Sequence, residues 1–433
     1  MGPYAHIVGW GKYVPDRIVT NHDLAEIMDT SDDWIKSRTG ISQRRFAGEN
    51  ETTASMAIEA AKVALDRARI APATVDLIIV ATFSPEHIFP STACIVQDAI
   101  GATNAGAFDL SAACAGFSYA FSMGSAMIQS GSAKVVLVIG SETTSRFLND
   151  QDRGTYPLFG DGAGALVLQG SETPGGILAN VLGADGSGAE HLLIPAGGSK
   201  LPTCQDTLDN RLHYMQMNGR EVYRFATRVM GRVAKQACEQ AGVDLDDIDL
   251  FIPHQANIRI IKSATKYLKI SEDKVFTNLH KYGNTSAASI PLALCEAIEE
   301  GRIKNKDKIV MVGFGGGLVW GATVVEWGLP KPYIPRQWWY RRLREWIYTW
   351  AKVRSNFVRI WRNVEDRLFY RNGMNEDIPT TIEKPVEKPP EEVGRTYTNG
   401  HGSNGNGSKP APMTLPTKQP EETDEQEKVL ERD

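Results

Sequence analysis

One cysteine, one histidine and one asparagine of this 433-residue chain lie in sequence contexts that suit acyl-transfer chemistry. Cys114 lies among small residues, in DLSAACAGFS, directly before an apolar helical pattern. A thiol at the start of a helix meets the positive end of the helix dipole, which favours the thiolate nucleophile. His254, in PHQANIR, and Asn284, in YGNTSAAS, follow predicted strands, where α/β proteins place reactive groups. Taken singly, each of the three would more often be structural.

The elements that must position these residues alternate between helices and short buried strands. Helical patterns cover residues 54–69 and 225–241. Runs rich in β-branched residues predict strands at 75–82, 135–140, 165–168, 248–252 and 309–313. This alternation predicts an α/β fold with mixed sheets covered by helices.

The chain from its start to about position 330 also looks internally duplicated. Asp76 and Asp249 each begin a strand that follows a helix, while Cys114 and Asn284 each open a predicted helix. The interval from Asp76 to Asp249 is nearly the same as the interval from Cys114 to Asn284. Two copies of one α/β unit would leave such a nearly constant offset, and chance similarity between such units is the alternative. Duplication predicts that the two helix starts face each other, which would bring Cys114 and Asn284 together.

Bulk composition limits the classes of function. The net charge of −5 argues against a nucleic-acid-binding protein. The five cysteines lack paired spacing, which predicts reduced thiols and no metal site. Residues 1–18 do not resemble a signal peptide, and no uncharged apolar run has the length of a membrane-spanning helix. We therefore expect a cytoplasmic protein.

The motifs DLSAACAGFSYA, PHQANIRI, HKYGNTSAASIPLAL, GDGAGA and GFGGGLVWGA resemble those of β-ketoacyl-acyl-carrier-protein synthase III, the initiating condensing enzyme of bacterial fatty-acid synthesis. The resemblance covers roughly residues 5–328. It implies a homodimer with a thiolase-like αβαβα sandwich made of two duplicated halves, 1–170 and 171–330. It also implies decarboxylating Claisen condensation of an acyl-CoA starter with malonyl-acyl-carrier protein, which gives 3-oxoacyl-acyl-carrier protein and needs no cofactor.

The resemblance further implies a role for each site residue. Cys114 would carry the starter acyl group, while His254 and Asn284 would stabilise the enolate that forms as carbon dioxide leaves. The backbone N–H groups of Cys114 and Gly316, the latter in the glycine-rich turn at 313–317, would form an oxyanion hole. Coenzyme A would contact Trp34, Arg38, Arg153 and Asn257, with its adenine between Trp34 and Arg153. Phe314 and Phe89 would line the acyl pocket, with Phe89 crossing the dimer interface.

A basic stripe follows the histidine motif. Its members, at helical steps of three, four and three, are Arg259, Lys262, Lys266 and Lys269. Such a stripe usually marks a solvated helix face. Beside the site it would also suit an acidic carrier protein, which charge complementarity would attract.

Residues 331–371 are basic and aromatic, and the family resemblance does not account for them. Their apolar positions recur at steps of three and four, which predicts an amphipathic helix of roughly 30 residues. Tryptophan and arginine with a polar opposite face are typical of a helix in peripheral contact with a membrane, here through residues 336–371 at the inner membrane surface. Packing on the enzyme or on its dimer mate, and more weakly nucleic-acid binding, are alternatives. Residues 372–433 predict a disordered tail.

Two other functions stay open at this point. A starter-unit or long-chain acyl condensing enzyme of a polyketide or hydrocarbon pathway would keep Cys114, His254 and Asn284 and differ in its pocket. An inactive scaffold, tethered by its carboxy-terminal extension, would have no need of the intact trio. The acyl chain length cannot be predicted, because it depends on pocket depth.

Overall fold

A computed structural model describes residues 3–328 and parts of a carboxy-terminal helix. The described helix positions are 346, 348–351, 353–358, 360, 361 and 364. The tail predicted to be disordered, 372–433, lies outside the described residues, and so does much of 331–371. Within the described part of the chain, no helix is both long and apolar enough to span a membrane.

Two mixed sheets form the frame. The first has the order β1-β7-β6-β4-β5, from β1 (Tyr4–Tyr13), β4 (Leu77–Ala81), β5 (Gly106–Leu110), β6 (Val135–Glu142) and β7 (Gly162–Ser171). The second has the order β11-β12-β13-β8, from β8 (Gly176–Ala184), β11 (Leu250–Pro253), β12 (Lys308–Gly315) and β13 (Val319–Glu326). Two small pairs join β2 (Ile18–Thr20) to β3 (Gln43–Arg45) and β9 (Leu192–Leu193) to β10 (Gln216–Met217).

Helices separate and cover the sheets. Between them lie α5 (Gly116–Gln129) and α10 (Ser289–Glu299). The outer face of the first sheet is covered by α3 (Thr53–Ala68) and α4 (Thr92–Ile100), and that of the second by α7 (Gly219–Ala241) and α8 (Ile258–Leu268). Four further helices are short: α1 (Asn21–Ile27), α2 (Asp32–Thr39), α6 (Gln205–Asp209) and α9 (Leu279–Tyr282). These five layers confirm the predicted αβαβα sandwich.

Small residues allow the outer helices to approach the sheet closely. The Thr52 side chain caps α3, whose buried face is rich in alanine. Gly9 and Gly11 of β1 lie directly against the carbonyl oxygens of Ala64 and Ala60, where any Cβ atom would collide. The helix therefore packs on β1 at a distance that only glycine on the strand permits.

The two halves repeat one connection at a constant offset. The interval along the chain is the same from β4 to β11, from β6 to β12, and from the start of α5 to the start of α10. Asp76 accepts a hydrogen bond from the backbone N–H of Val135 (2.9 Å), and Asp249 accepts the matching one from Lys308 (2.8 Å). In this register the counterpart of Cys114 is Ala287. The expected equivalence of Cys114 with Asn284 is therefore wrong, because Asn284 lies three positions earlier.

The starts of the two middle helices meet at the centre of the molecule. A Cβ atom on Gly116 would lie 3.7 Å from the Cβ of Ala287. Gly140 of β6 touches the backbone of Ala287, and its counterpart Gly313 of β12 faces Ala115, where a Cβ would lie 3.4 Å from Cα. Each half thus supplies a glycine that makes room for the helix start of the other half. The chemistry-bearing segments converge there.

Candidate active site

Cys114, His254 and Asn284 line one cavity of about 400 Å³, and Phe314 lies beside them. All four side chains are buried. Cys114, His254 and Asn284 come from three different connections, namely the turn before α5, the end of β11 and the turn before α10, whereas Phe314 lies on β12. The convergence expected from the sequence is therefore present, although the register behind it differs.

Cys114 is the middle residue of a 3-10 turn, Ala113–Ala115, that leads into α5. Burial raises the pKa of its thiol from about 9 to about 12, the nearby Glu142 acts in the same direction, and hydrogen bonds with Ser286 and Asn284 oppose them. A helix dipole stabilises an anion by at most about 2 kcal/mol. The higher pKa corresponds to roughly 4 kcal/mol. The resting residue is therefore a thiol, contrary to the thiolate that the helix-start argument favoured.

His254 follows β11 and is held by two hydrogen bonds. Its backbone N–H donates to the carbonyl of Val312 (2.7 Å), and its Nδ1 lies 2.5 Å from the Ser289 hydroxyl. The Nε2 atom is buried and has no hydrogen-bond partner among the described residues. Burial lowers the pKa of His254 to about 3, so the imidazole is neutral. Phe314 packs edge-on against it at 5.2 Å between ring centroids, which fixes the ring plane.

Asn284 is fixed by the other half of the molecule. Its backbone N–H donates to the carbonyl of Leu158 (2.8 Å), and its carbonyl accepts from the N–H of Gly160 (3.0 Å). Its Oδ1 accepts from the backbone N–H of Ser286 (2.9 Å), so the side-chain NH₂ group is the one available to a substrate. The GDGAGA motif that contains Gly160 thus positions an amide donor.

The glycine-rich segment at the end of β12 packs directly on the backbone of Cys114. A Cβ atom on Gly315 would lie 2.7 Å from the backbone nitrogen of Cys114 and 3.2 Å from the Cβ of Ala113. Gly316, the residue expected in the oxyanion hole, lies one position further and against Leu192. Gly315 lines the cavity, whereas Gly316 does not. The role of Gly316 stays a prediction.

The residues expected to bind coenzyme A lie together at the same cavity. Two guanidinium groups face the Trp34 ring, that of Arg38 at 5.1 Å and that of Arg153 at 5.2 Å from its centroid. Arg153 also donates to the Asp29 carboxylate (2.7 Å). The Asn257 side chain donates to the carbonyl of Arg38 (3.1 Å), which ties α8 to α2. An aromatic ring flanked by cations suits a polyanionic, aromatic ligand.

The basic stripe is exposed along α8 and just beyond its end. Arg259 lines the active cavity and donates to the carbonyl of Ser37 (2.9 Å), so it also holds α2 in place. Lys262, Lys266 and Lys269 instead border a neighbouring groove of about 530 Å³, whose lining includes isoleucines of α8. The stripe therefore divides into one residue at the cavity and three at a separate groove.

Phe89 lies outside the cavity in the single chain. Its side chain is 85% exposed, and that of the adjacent Ile88 is 89% exposed. The expected acyl-pocket role, which required Phe89 to cross into a partner, stays a prediction.

The structure adds site residues that the sequence interpretation missed. Ser286 and Ser289 lie within the quoted NTSAAS motif, so their position was a usable signal. Arg220 lines the cavity from the first turn of α7. Glu142, at the end of β6, accepts hydrogen bonds from Ser286 and Ser84, contacts that no local pattern reveals.

Comparison with known proteins gives matches along most of this fold. The family model for 3-oxoacyl-[acyl-carrier-protein] synthase III matches residues 108–186, and the model for its C-terminal part matches residues 238–327. A curated relative from Clostridioides difficile, a β-ketoacyl-[acyl-carrier-protein] synthase III, is 51% identical over 329 residues, which is 76% of this chain and 100% of the relative. The chain belongs to the β-ketoacyl-acyl-carrier-protein synthase III family. It is an acyl-transferring condensing enzyme that initiates fatty-acid synthesis.

Solved structures show the same architecture. The 3-oxoacyl-[acyl-carrier-protein] synthase III of Aquifex aeolicus is 48% identical, with a TM-score of 0.69 over 75% of this synthase and 100% of that chain. A priming β-ketosynthase of the R1128 polyketide pathway is 35% identical, with a TM-score of 0.71 over 76% of this synthase and 98% of that chain. The C. difficile relative is matched along its whole length by three quarters of this synthase, so it offers no counterpart for the rest.

Proposed function

We propose that the synthase condenses an acyl-CoA starter with malonyl-acyl-carrier protein in two half-reactions, with Cys114 as the acyl carrier. The observation that carries this proposal is the meeting of the buried Cys114, His254 and Asn284 in one cavity whose lining also holds Trp34 and Arg153. A nucleophile, two neutral hydrogen-bond groups and a cationic aromatic entrance are what the two half-reactions need. No cofactor takes part, since both substrates are activated as thioesters.

In the first half-reaction the Cys114 sulfur attacks the thioester carbonyl of acyl-CoA. The new carbon–sulfur bond forms, the bond to the coenzyme A sulfur breaks, and the thiol proton ends on the departing coenzyme A. Because burial keeps the resting group a thiol, deprotonation accompanies the attack. We assign the backbone N–H groups of Cys114 and Gly316 to the oxyanion of the tetrahedral intermediate.

In the second half-reaction His254 and Asn284 act on the malonyl thioester. Carbon dioxide leaves and the thioester oxygen gains charge. The resulting enolate attacks acyl-Cys114 and releases the cysteine as a thiolate, which takes up a proton from solvent to restore the resting thiol. We infer that the Ser289 hydroxyl donates to Nδ1, so that the proton of the neutral imidazole lies on the unpartnered Nε2 and points to the thioester oxygen. The side-chain NH₂ group of Asn284 supplies the second hydrogen bond.

Coenzyme A enters past Trp34, and its adenine replaces Arg153 on the indole face. Both Arg38 and Arg153 now stack on that ring, so Arg153 must swing outwards to form the sandwich. Its ion pair with Asp29 is exposed and therefore weak, so little free energy is needed to move the Arg153 side chain. Arg220 adds a further cation at the cavity for the phosphate groups.

The carrier protein docks on α8. Lys262, Lys266 and Lys269 border a groove with isoleucine in its lining, which fits an acidic protein that presents an apolar contact. Arg259 lines the cavity three positions before Lys262 of the groove, and the phosphopantetheine arm would pass it.

We further propose that the synthase acts in the cytoplasm as a homodimer. The exposed Ile88 and Phe89 then lie at the partner and close its acyl pocket. Contact of residues 336–371 with a membrane rests on other observations and is proposed separately below.

Intact-protein mass spectrometry tests the two half-reactions. Incubation with acyl-CoA should add one acyl group, which Cys114→Ala abolishes. Malonyl-acyl-carrier protein should then remove the adduct and yield 3-oxoacyl-carrier protein. His254→Ala and Asn284→Ala should keep the adduct and fail to discharge it. Absence of any adduct on the wild-type enzyme would overturn the proposal and favour the scaffold alternative. A panel of acyl-CoA chain lengths, scored in the same way, identifies the starter.

A further inference from the structure

The carboxy-terminal helix is seated on the enzyme by one face. Tyr348 and Ala351 are buried, and Tyr348 packs with the cluster that covers the outer face of the first sheet. Ser355 donates a hydrogen bond to the Asp98 carboxylate of α4 (2.7 Å). The Lys62 ammonium group lies 5.6 Å from the Tyr348 ring centroid. This face fixes the rotation of the helix about its own axis.

The opposite face carries the large apolar side chains, and they are exposed. Their exposed fractions run from 42% to 70%, for Trp346, Trp350, Val353, Phe357, Ile360, Trp361 and Val364. At about 100° per residue these positions fall on one side of the helix, roughly opposite Tyr348, Ala351 and Ser355. Phe357 and Trp361 stack on each other with centroids 6.5 Å apart. The sequence correctly indicates the apolar stripe, but the structure turns it away from the enzyme.

An exposed stripe of this size calls for a partner. Single exposed apolar residues are ordinary, whereas a contiguous patch marks an interaction site. The helix cannot bury the stripe by turning, because that would expose Tyr348 and Ala351 and break the Ser355–Asp98 hydrogen bond. The tryptophans therefore stay outward as long as the helix is seated.

The charge around the stripe indicates which partner this is. Residues 336–371 contain ten arginines and lysines against three acidic residues, a net charge of +7 in a chain whose total is −5. The rest of the chain therefore carries −12. Arg354, beside the stripe, is exposed. Such segregation attracts an anionic surface and opposes the pairing of two copies of this face, since each would bring +7 to the contact.

We propose that the outward face of the carboxy-terminal helix docks on an anionic lipid surface and holds the synthase there as a peripheral protein. Tryptophan side chains favour the boundary between lipid headgroups and acyl chains, and the basic side chains pair with lipid phosphates. The helix would lie in the plane of the surface, with its inner face still on α4. Its stripe extends over positions 346–364, a length of about 27 Å at 1.5 Å per residue.

Vesicle co-sedimentation of the full chain tests the proposal. The wild-type synthase should sediment with vesicles that contain about one-third phosphatidylglycerol in phosphatidylcholine. It should bind pure phosphatidylcholine about tenfold more weakly, and added salt should weaken the anionic binding. The triple variant Trp346→Gln/Trp350→Gln/Trp361→Gln should lose binding by about tenfold or more. Ile27→Gln/Leu208→Gln, which alters exposed apolar residues elsewhere, is the matched control and should bind like wild type.

Several outcomes would overturn the proposal. Failure of the wild-type chain to sediment with anionic vesicles is one, and equal binding by the triple variant is another. Sedimentation velocity without lipid tests the other possible partner, a second copy of the chain. If the triple variant has a lower oligomeric state than wild type, the stripe joins copies of the chain instead. Acylation of Cys114 by acyl-CoA, measured on every variant, verifies that the enzyme itself is folded.

Discussion

Cys114 and Ala287 occupy equivalent positions in the two halves of the synthase. Each is the middle residue of a 3-10 turn that begins with a left-handed residue, Ala113 at φ 44° and Ser286 at φ 49°, and leads into a middle helix. In the same register, His254 corresponds to Ala81 and Gly315 to Glu142. The duplicated fold therefore has two equivalent positions for a site. One holds Cys114, His254 and Gly315, and the other holds Ala287, Ala81 and Glu142, without a thiol or an imidazole.

Ser289→Ala should slow the second half-reaction and spare the first. The variant leaves His254 Nδ1 without its partner, so the tautomer that donates from Nε2 is no longer favoured. Loss of one neutral hydrogen bond, about 1–1.5 kcal/mol, predicts about a tenfold fall in decarboxylation of malonyl-carrier protein. Single-turnover measurements separate this step from acylation. Ser125→Ala is the control, since Ser125 is also buried and its hydroxyl has no partner among the described residues. An equal fall in both half-reactions would contradict the prediction.

Alkylation of resting Cys114 should rise with pH and show no plateau in the usual range. Because the pKa of the buried thiol is raised to about 12, the thiolate fraction grows about tenfold per pH unit from pH 6 to 9. Iodoacetamide labelling followed by peptide mass spectrometry measures the rate at Cys114. The exposed Cys94 and Cys204 report reagent activity in the same digest. An inflection near pH 7 would show that the helix start outweighs burial.

Glu142→Gln should change how stability depends on pH. Burial raises the pKa of Glu142 to about 7 from an ordinary 4.5. Between these two pH values the folded protein keeps a proton that the unfolded chain releases. The contribution of this proton to the free energy of unfolding is therefore complete below pH 4.5 and is lost as the pH rises through 7. Glutamine cannot titrate, so the variant should gain stability relative to wild type between pH 5 and 8, by up to about 3 kcal/mol. Thermal unfolding across that range measures the difference. Glu172→Gln, at an exposed carboxylate, controls for lost charge, and a difference independent of pH would refute the prediction.

Gly315→Ala should disable acylation without unfolding the enzyme. The added Cβ would lie 2.7 Å from the backbone nitrogen of Cys114, so the turn that carries the nucleophile must move. A displacement near 1 Å commonly costs about a hundredfold in rate. Adduct formation with acyl-CoA measures the loss. Gly198→Ala, where a new Cβ meets nothing within 4 Å, should acylate normally. Normal acylation by Gly315→Ala would mean that the turn is not held as described.

Lys262→Glu/Lys266→Glu should weaken the carrier-dependent step alone. Both residues border the groove on α8, and neither lines the cavity, whereas Arg259 does and also anchors α2. The KM for malonyl-carrier protein should rise about tenfold while acylation by acyl-CoA is unchanged. Lys134→Glu/Lys304→Glu makes the same change in charge at exposed sites elsewhere and should leave both steps intact. If the control shows the same defect, the change in net charge causes it and the position on α8 does not, which would contradict the prediction.

Much of the fold and the trio could be predicted, because both leave local marks. The runs at 135–140 and 309–313 lie within β6 (Val135–Glu142) and β12 (Lys308–Gly315), since buried central strands are continuously apolar. Glycine-containing β1 and β13 gave no such run and were missed. Cys114, His254 and Asn284 each lie in a short motif, so the residues next to them in sequence were enough to single them out.

The contacts that set the chemistry could not be predicted, because they join distant parts of the chain. Ser289 reaches His254 across 35 residues and Glu142 reaches Ser286 across 144, and no periodicity encodes either contact. The state of the Cys114 thiol depends on burial, which the sequence does not show and which outweighs the helix dipole. The outward turn of the tryptophan stripe likewise depends on the inner residues Tyr348 and Ser355, which no apolar pattern singles out.

The equivalence of Gly315 and Glu142 in the two halves has a consequence for the number of acyl groups that one chain can carry. Gly315 lies directly against the backbone of Cys114, whereas the Glu142 side chain accepts a hydrogen bond from Ser286, beside Ala287, so the doubled scaffold holds one thiol. Each chain can therefore hold one acyl group at a time and has no second thiol at 287 to which that group could migrate. An acyl group on Cys114 would therefore leave to coenzyme A or to the carrier-bound enolate without first passing to a second thiol at the other helix start.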